Sequence, residues 1–372
     1  MTKNFININE PHLGIDEITA ACDVIKSGNL SSASIAGGPN VQRFEKSFSQ
    51  YNNCKYSIAV NSGTSALFAS LLSLDIKNGD EVIVPSFTFN ATAGAVVAAG
   101  AKPVFIDINR DDYNLDPDLI PKLINKKTKA IIPVHLYGRP SNMKEIMKIS
   151  KRYGLRIIED ASQALGSKYY GRHAGTLSDV GCFSMYPSKV ITSGEGGVIT
   201  TNNKNIYEKL QSIRNHGIVN QSGNSKFFGL NLRMPEIEAA ISYFQLKKLN
   251  GFIKKRKINS NILSEFIENC GSVNLPSSDN NIQTNFYLYT VSISKNRDEL
   301  QYKLNKSGIG ANVYYKTPIH KMTFYKKFNN KKIGKTNSEW ASKHVLSLPI
   351  HPKISPKQME FIGRTFVKCI GK

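Results

Sequence analysis

The sequence predicts an α/β fold: a large domain built on a mostly parallel sheet covered by helices, followed by a smaller C-terminal α/β domain. Three observations lead there. From Ser57 onward, short and near-continuous apolar runs alternate with stretches of helical period, the pattern of strands buried on both faces. At 372 residues the chain is long enough for two cores. The alternation then breaks near residue 250, where the basic run Lys254-Lys-Arg-Lys257 leads into a polar, Ser- and Asn-rich stretch. The expected division is residues 1–250, a large domain with an N-terminal arm, and residues 251–372, a small one.

The elements follow in order. Asp16 is placed to cap a helix whose apolar residues Ile18, Ala21, Cys22 and Ile25 fall at helical spacing and which Gly28 ends. The strand-like runs are Ile58 to Val60, Glu81 to Val84, Pro103 to Ile106, Ala130 to Val134, Arg156 to Ile158 and Gly181 to Phe183, with amphipathic stretches such as Ala66 to Leu74 and Lys144 to Tyr153 between them. A Gly-rich turn, Ser193 to Gly197, enters a further strand, Val198 to Thr200. A long helix is expected from Pro235 to Leu249. Beyond it come a strand, Phe286 to Ile293, a helix, Arg297 to Asn305, and a strand, Ala311 to Tyr315.

Composition narrows the function. Hydrophobic residues make up 40% of the chain, so a packed globular protein is indicated. The net charge of +21 comes mostly from scattered lysines and favours anionic ligands. Arginine-dense runs interleaved with aromatics and zinc-finger spacing are missing, which argues against nucleic acid as partner and for a small anionic substrate. The five cysteines are far apart and lack paired spacing, so neither a disulfide framework nor a metal site is implied. No segment approaches the roughly 18 apolar residues of a membrane span, and a cytoplasmic protein without membrane attachment is expected.

The chemistry is carried by Asp160, at the end of an apolar strand, and Lys189, in an apolar setting downstream of it. A pyridoxal phosphate (PLP) enzyme needs such a pair, one group to hold the proton on the pyridine nitrogen and one to form the Schiff base. The other pieces read two ways when taken singly. Gly63, Thr64 and Ser65 open a helix after the strand Ile58 to Val60, so they suit a phosphate or an ordinary helix cap. Phe89, after the strand Glu81 to Val84, suits a stacking ring or a core side chain. Gln163 lies within reach of whatever Asp160 holds, and Ser184 offers a hydroxyl five residues before Lys189.

The order of these pieces is the specific signal. Asn61-Ser-Gly-Thr-Ser65, Ser86-Phe-Thr-Phe-Asn-Ala-Thr92, Val134-His-Leu-Tyr-Gly138, Glu159-Asp-Ala-Ser-Gln-Ala-Leu-Gly166, Gly175 to Ser184, Ser188-Lys189, Gly194-Glu-Gly-Gly197, Arg214-Asn-His-Gly217 and Gly229 to Met234 resemble the DegT/StrS family of nucleotide-sugar aminotransferases. The resemblance runs from about Asn9 to Pro352. It implies a fold-type I PLP-transferase-like enzyme, a homodimer with shared active sites, and glutamate and a nucleotide sugar as substrates. Lys189 matches the Schiff-base lysine, Asp160 the ring-nitrogen partner, Gln163 the contact to the ring hydroxyl and Phe89 the stacking side chain. Gly63, Thr64, Ser65 and Ser184 match the phosphate cup; Asn231 matches an asparagine that reaches the partner subunit's phosphate, and Arg233 a contact to the donor's carboxylate. Tyr315, His320 and the loop Asn220 to Phe228 are candidates for the sugar.

In a dehydratase branch of that family a histidine replaces the lysine, so Lys189 implies transamination. Met185-Tyr186 stands where the family often has two aromatic residues. The branch that aminates sugar position 3 tends to show Gly-Asp-Gly-Gly and Asn-Ser-Arg-Leu, whereas this chain has Gly194-Glu-Gly-Gly197 and Asn231-Leu-Arg-Met234, which favours position 4 of a 4-keto-6-deoxy sugar and a 4-amino product for polysaccharide or lipopolysaccharide O-antigen synthesis. The alternatives are amination at position 3, and, in a different class, a non-catalytic regulator or nucleic-acid binder that keeps the fold.

Overall fold

Alternate residues of the buried strands face opposite helical layers, and this two-sided burial builds the central sheet. Ile58, Val60 and Ile158 pack into one cluster, whereas Ala59 and Phe183 pack into another and Ile157 into a third. In this computed structural model, which describes residues 5–220, 223–277, 279–330 and 333–371, seven strands lie side by side in the order Tyr56–Val60, Gly197–Thr201, Val180–Ser184, Arg156–Asp160, Thr128–Ile131, Glu81–Pro85 and Lys102–Ile106. Gly197–Thr201 is antiparallel to both its neighbours, which makes those two parallel to each other. The other neighbours pair in parallel. Six carboxyl ends therefore share one edge, the edge at which open α/β sheets bind ligands.

The first helix spans Ile15–Ser27 and its N-cap is Gly14, not Asp16. Glu17 folds back to accept the Gly14 N–H at 2.8 Å, which starts the helix earlier, and Asp16 pairs instead with Lys248 at 3.0 Å. Gly28 ends the helix in the left-handed region, as its position predicts. The side buried against the chain is Ala20 and Val24, which meet Ala240. The apolar stripe seen in the sequence faces outward: Ile18 is 58% and Ile25 61% exposed.

The long helix does not stop at Leu249. It spans Glu236–Ile267, 32 residues, and so runs through residue 250, where composition shifts. Phe252, Arg256, Asn259, Leu263 and Ile267 are buried at helical spacing while Lys254 and Lys257 stay exposed, so the basic run straddles the wet face of the helix and, at Arg256, its buried face. Beyond it, Val273–Asn274, Tyr289–Ile293 and Val345–Leu348 form a three-stranded antiparallel sheet. Ala311 to Tyr315 is not a strand. Asn305 accepts the Ala311 N–H at 2.9 Å and Gln301 donates to the Ala311 carbonyl at 3.1 Å, so side chains take the groups a ladder would use, and Asn312 forms only an isolated bridge to Ser347. The expected helix is present at Arg297–Lys306.

Candidate active site

The strand Tyr56–Val60 delivers Ser62, whose hydroxyl caps the helix Gly63–Ser73 by accepting the Ser65 N–H at 3.0 Å. The helix start is pressed against its neighbours. A Cβ on Gly63 would lie 2.8 Å from the Cβ of Ser184, and one on Gly197 would lie 2.4 Å from the Ser62 carbonyl oxygen. Glycine at 63 thus lets the first N–H groups of the helix, with the hydroxyl-bearing Thr64 and Ser65 among its first residues, lie against Ser184. Those N–H groups have no acceptor within a helix and carry its positive dipole end, so the spot suits a phosphate.

Asp160 ends the strand Arg156–Asp160 and is 5% exposed. Its Oδ2 accepts the hydroxyl of Thr92 at 2.9 Å and its Oδ1 the N–H of Ser162 at 3.2 Å, so the carboxylate has a fixed orientation. The sequence reading missed Thr92 as a contributor. It closes the Ser86 to Thr92 motif and its hydroxyl is buried on the first turn of the helix Ala91–Ala98. Beneath Asp160, the fully buried Glu159 accepts from His135 Nε2 at 2.9 Å, the N–H groups of Gly175 and Leu177 at 2.7 and 2.8 Å, and the Ser178 hydroxyl at 2.9 Å. Three of these bonds knit the strand end to the Gly175 to Ser178 segment and the fourth ties it to His135. They also explain why the Glu-Asp pair and the Gly-Thr-Leu-Ser run occur together.

Gln163 is likewise fixed: its Oε1 accepts the Tyr137 N–H at 2.8 Å and its Nε2 donates to the Tyr315 hydroxyl at 3.1 Å. Burial, reinforced by the neighbouring Tyr287 and Asp160, holds the Tyr315 phenol well above its ordinary pKa, so it stays protonated. Phe89 is 57% exposed, with its ring tilted against Tyr315 at 6.1 Å between centroids. That exposure excludes the core alternative and leaves a flat ring open at the carboxyl edge of the sheet. Lys189 is half-buried, with its Nζ 5.0 Å from the centre of the Tyr287 ring. The turn that carries it is closed by Met185, whose N–H goes to the Gly196 carbonyl at 2.9 Å and whose carbonyl accepts from the Ser193 N–H at 3.1 Å and the Thr192 hydroxyl at 2.7 Å.

His320 lies under this edge rather than on it. It is buried, its Nδ1 meets the Ser86 hydroxyl, its Nε2 faces Glu339 at 3.2 Å, and burial lowers its pKa. Asn231 is exposed, and Asn61 Nδ2 reaches its carbonyl at 3.4 Å. Arg233 Nη1 donates to Asn215 Oδ1 at 2.5 Å, while its Nε is buried without a partner among the described residues. Of the loop Asn220 to Phe228, Gln221 and Ser222 lie outside the described residues.

A helix start suited to a phosphate, a fixed carboxylate, an open aromatic ring and a half-buried lysine share one edge of the sheet, and this donor set fits PLP. Comparison with known proteins agrees. The model of the DegT/DnrJ/EryC1/StrS aminotransferase family matches residues 14–367. The chain belongs to this family. Among its relatives, a dTDP-3-amino-3,4,6-trideoxy-alpha-D-glucose transaminase of Streptomyces venezuelae is 35% identical, over 92% of this chain and 90% of the relative. GDP-perosamine synthase of Escherichia coli O157:H7 is 33% identical over 96% of both chains. A solved structure of a sugar aminotransferase from Streptococcus pneumoniae in its PLP form superposes with a TM-score of 0.91 at 26% identity, covering 98% of both chains. This family member is a PLP-dependent nucleotide-sugar aminotransferase with the α/β architecture of its solved relatives. No helix among the described residues is long and apolar enough to cross a membrane.

Proposed function

We propose that this aminotransferase moves an amino group from glutamate to carbon 4 of a nucleotide-linked 4-keto-6-deoxy sugar, as a cytoplasmic homodimer, and so supplies a 4-amino sugar for polysaccharide or O-antigen synthesis. One observation carries the choice of position. The two motifs that depart from the position-3 pattern lie close together: the Met234 side chain ends 2.6 Å from where a Cβ on Gly196, the residue after Glu195, would sit. We read their proximity as one coupled departure rather than two unrelated changes.

In this reading PLP, when bound, supplies an electron sink for the charge that develops at the carbon losing its proton. Lys189 Nζ would hold the cofactor and, as a free amine, would serve as the base that moves the donor's proton. Asp160, held by Thr92 and Ser162, would take the ring nitrogen, Gln163 would offer its remaining Nε2 hydrogen to the ring oxygen, and Phe89 would cover one ring face. Gly63, Thr64, Ser65 and Ser184 bind the phosphate, and Arg233, steadied by Asn215, takes the donor carboxylate. Tyr315 borders the sugar directly, and His320 shapes its side of the pocket through Ser86.

The outward apolar stripe of the first helix supports the dimer, as does Phe228, 66% exposed next to the Asn231 segment. In that assembly Asn231 reaches the partner's phosphate. The test is incubation with glutamate and a panel of nucleotide 4-keto and 3-keto sugars, with products followed by mass and NMR. Nitrogen at carbon 4 is expected. Nitrogen at carbon 3 would replace the position and leave the rest intact.

A further inference from the structure

Arg256 is a fully buried cation that the reaction does not use. It is 2% exposed, and no carboxylate lies within 4 Å of it among the described residues. Burial lowers its pKa to about 10. Among the described residues all of its partners are neutral: Nη1 donates to the carbonyls of Tyr287 at 3.0 Å and Phe286 at 3.3 Å, Nη2 donates to Asn9 Oδ1 at 3.1 Å, and Nε has no partner there. A buried charge answered only by neutral acceptors is a poor way to gain stability, and apolar replacement of such groups is often neutral or stabilising. Its retention points to placement of something else.

Both arms of the guanidinium end at the residue before Lys189. Through one arm, Asn9 carries the contact on, its Nδ2 donating to the Ser188 carbonyl. Through the other, the guanidinium holds the backbone of Tyr287, whose hydroxyl meets the Ser188 hydroxyl at 3.3 Å and whose ring lies under Lys189 Nζ. One planar group thus joins the N-terminal arm, the entry to the small sheet and the lysine turn. We propose that Arg256 is a positioning residue for Lys189, acting through Asn9 and Tyr287 on Ser188. The proposal rests on Lys189 as the point of cofactor attachment.

The experiment uses the full-length protein and PLP itself. Wild type, Asn9→Ala, Arg256→Met and the double variant are titrated with PLP by visible absorption, the adduct is fixed with borohydride and mapped, and melting of each apoprotein is recorded. Loss of the Asn9 bridge, one hydrogen bond at the lysine turn, is expected to weaken PLP retention about tenfold. Arg256→Met weakens it at least as much, and the double variant no more than Arg256→Met alone, because both lie on one path. Hydrogen exchange of residues 5–14 rises in both single variants, while the melting point of Asn9→Ala stays near that of wild type. Unchanged PLP affinity in Asn9→Ala, or effects that add in full, would overturn the proposal; if Arg256→Met does not fold, Asn9→Ala decides alone. A wild-type protein whose adduct maps away from Lys189 would instead overturn the cofactor attachment on which the proposal rests.

Discussion

Replacing Thr92 by valine should weaken cofactor binding without disturbing the fold. The side chain is buried, valine has nearly its shape, and the only group removed is a hydroxyl that donates to Asp160 Oδ2 at 2.9 Å. A hydrogen bond to a charged group contributes about 1.5–3 kcal/mol. In the cofactor-free protein, water can reach the carboxylate from the open edge and replace the lost donor. With the ring in place it cannot, so the cost falls on the bound state. At about 1.4 kcal/mol per factor of ten, PLP affinity should drop about 10- to 150-fold. The assay is titration of apoprotein with PLP by visible absorption, with Thr92→Ser as the variant that keeps the hydroxyl and restores binding. Wild-type affinity in Thr92→Val would refute the argument, and failure of Thr92→Ser to restore it would show that the methyl group, not the hydroxyl, matters.

Other expectations follow from the same geometry. Borohydride treatment of the PLP-loaded protein should fix the adduct on Lys189, read by peptide mapping, and Lys189→Ala should give no adduct. Mixing inactive Lys189→Ala with inactive Asn231→Ala subunits should restore activity once exchange is demonstrated, since some mixed sites receive both intact residues; no recovery would place each site within one chain. His351 is 3% exposed and is pushed from 6.5 to about 4 by burial, helped by the charge of Arg256. It is neutral in the folded protein and protonates near 6.5 when unfolded, so its stabilising effect is complete above that value and is lost as pH falls from 6.5 toward 4. The loss is about 1.4 kcal/mol per pH unit across that window, and His351→Gln should flatten the melting profile there.

The sheet was legible because a strand buried on both faces leaves an apolar run, and Ile58 to Val60, Glu81 to Val84 and Arg156 to Ile158 each do. The site pieces were legible because each follows such a run, at the edge where ligands bind. Two misreadings have identifiable reasons, and one element went unread. The stripe Ile18, Cys22, Ile25 has helical period, but period cannot tell a face turned to the core from one turned outward. Ala311 to Tyr315 is apolar enough for a strand, yet Asn305 and Gln301 take its backbone from a distance that sequence does not reveal. Ser355-Pro-Lys-Gln358 was readable as a capping box with proline at the first turn, and it does open the last helix, Pro356–Ile370. Thr92 closes a motif and Arg256 stands in a basic run, but neither setting reveals the role, which lies in partners 68 and up to 247 residues away.

The long helix Glu236–Ile267 also bears on how the enzyme can move. At about 1.5 Å per residue it is a rod about 48 Å long, beginning just past Arg233 and carrying Arg256 well along its length. Sharp kinks arise at proline, at small residues such as glycine, at bulges or at inserted groups in the hydrogen-bond ladder; no proline lies between residues 236 and 267, and the helix continues unbroken through Gly251, where the composition changes. We expect admission and retention of substrate to depend more on the arm that carries Asn9 and on the segment at Asn231 than on one lobe swinging against the other.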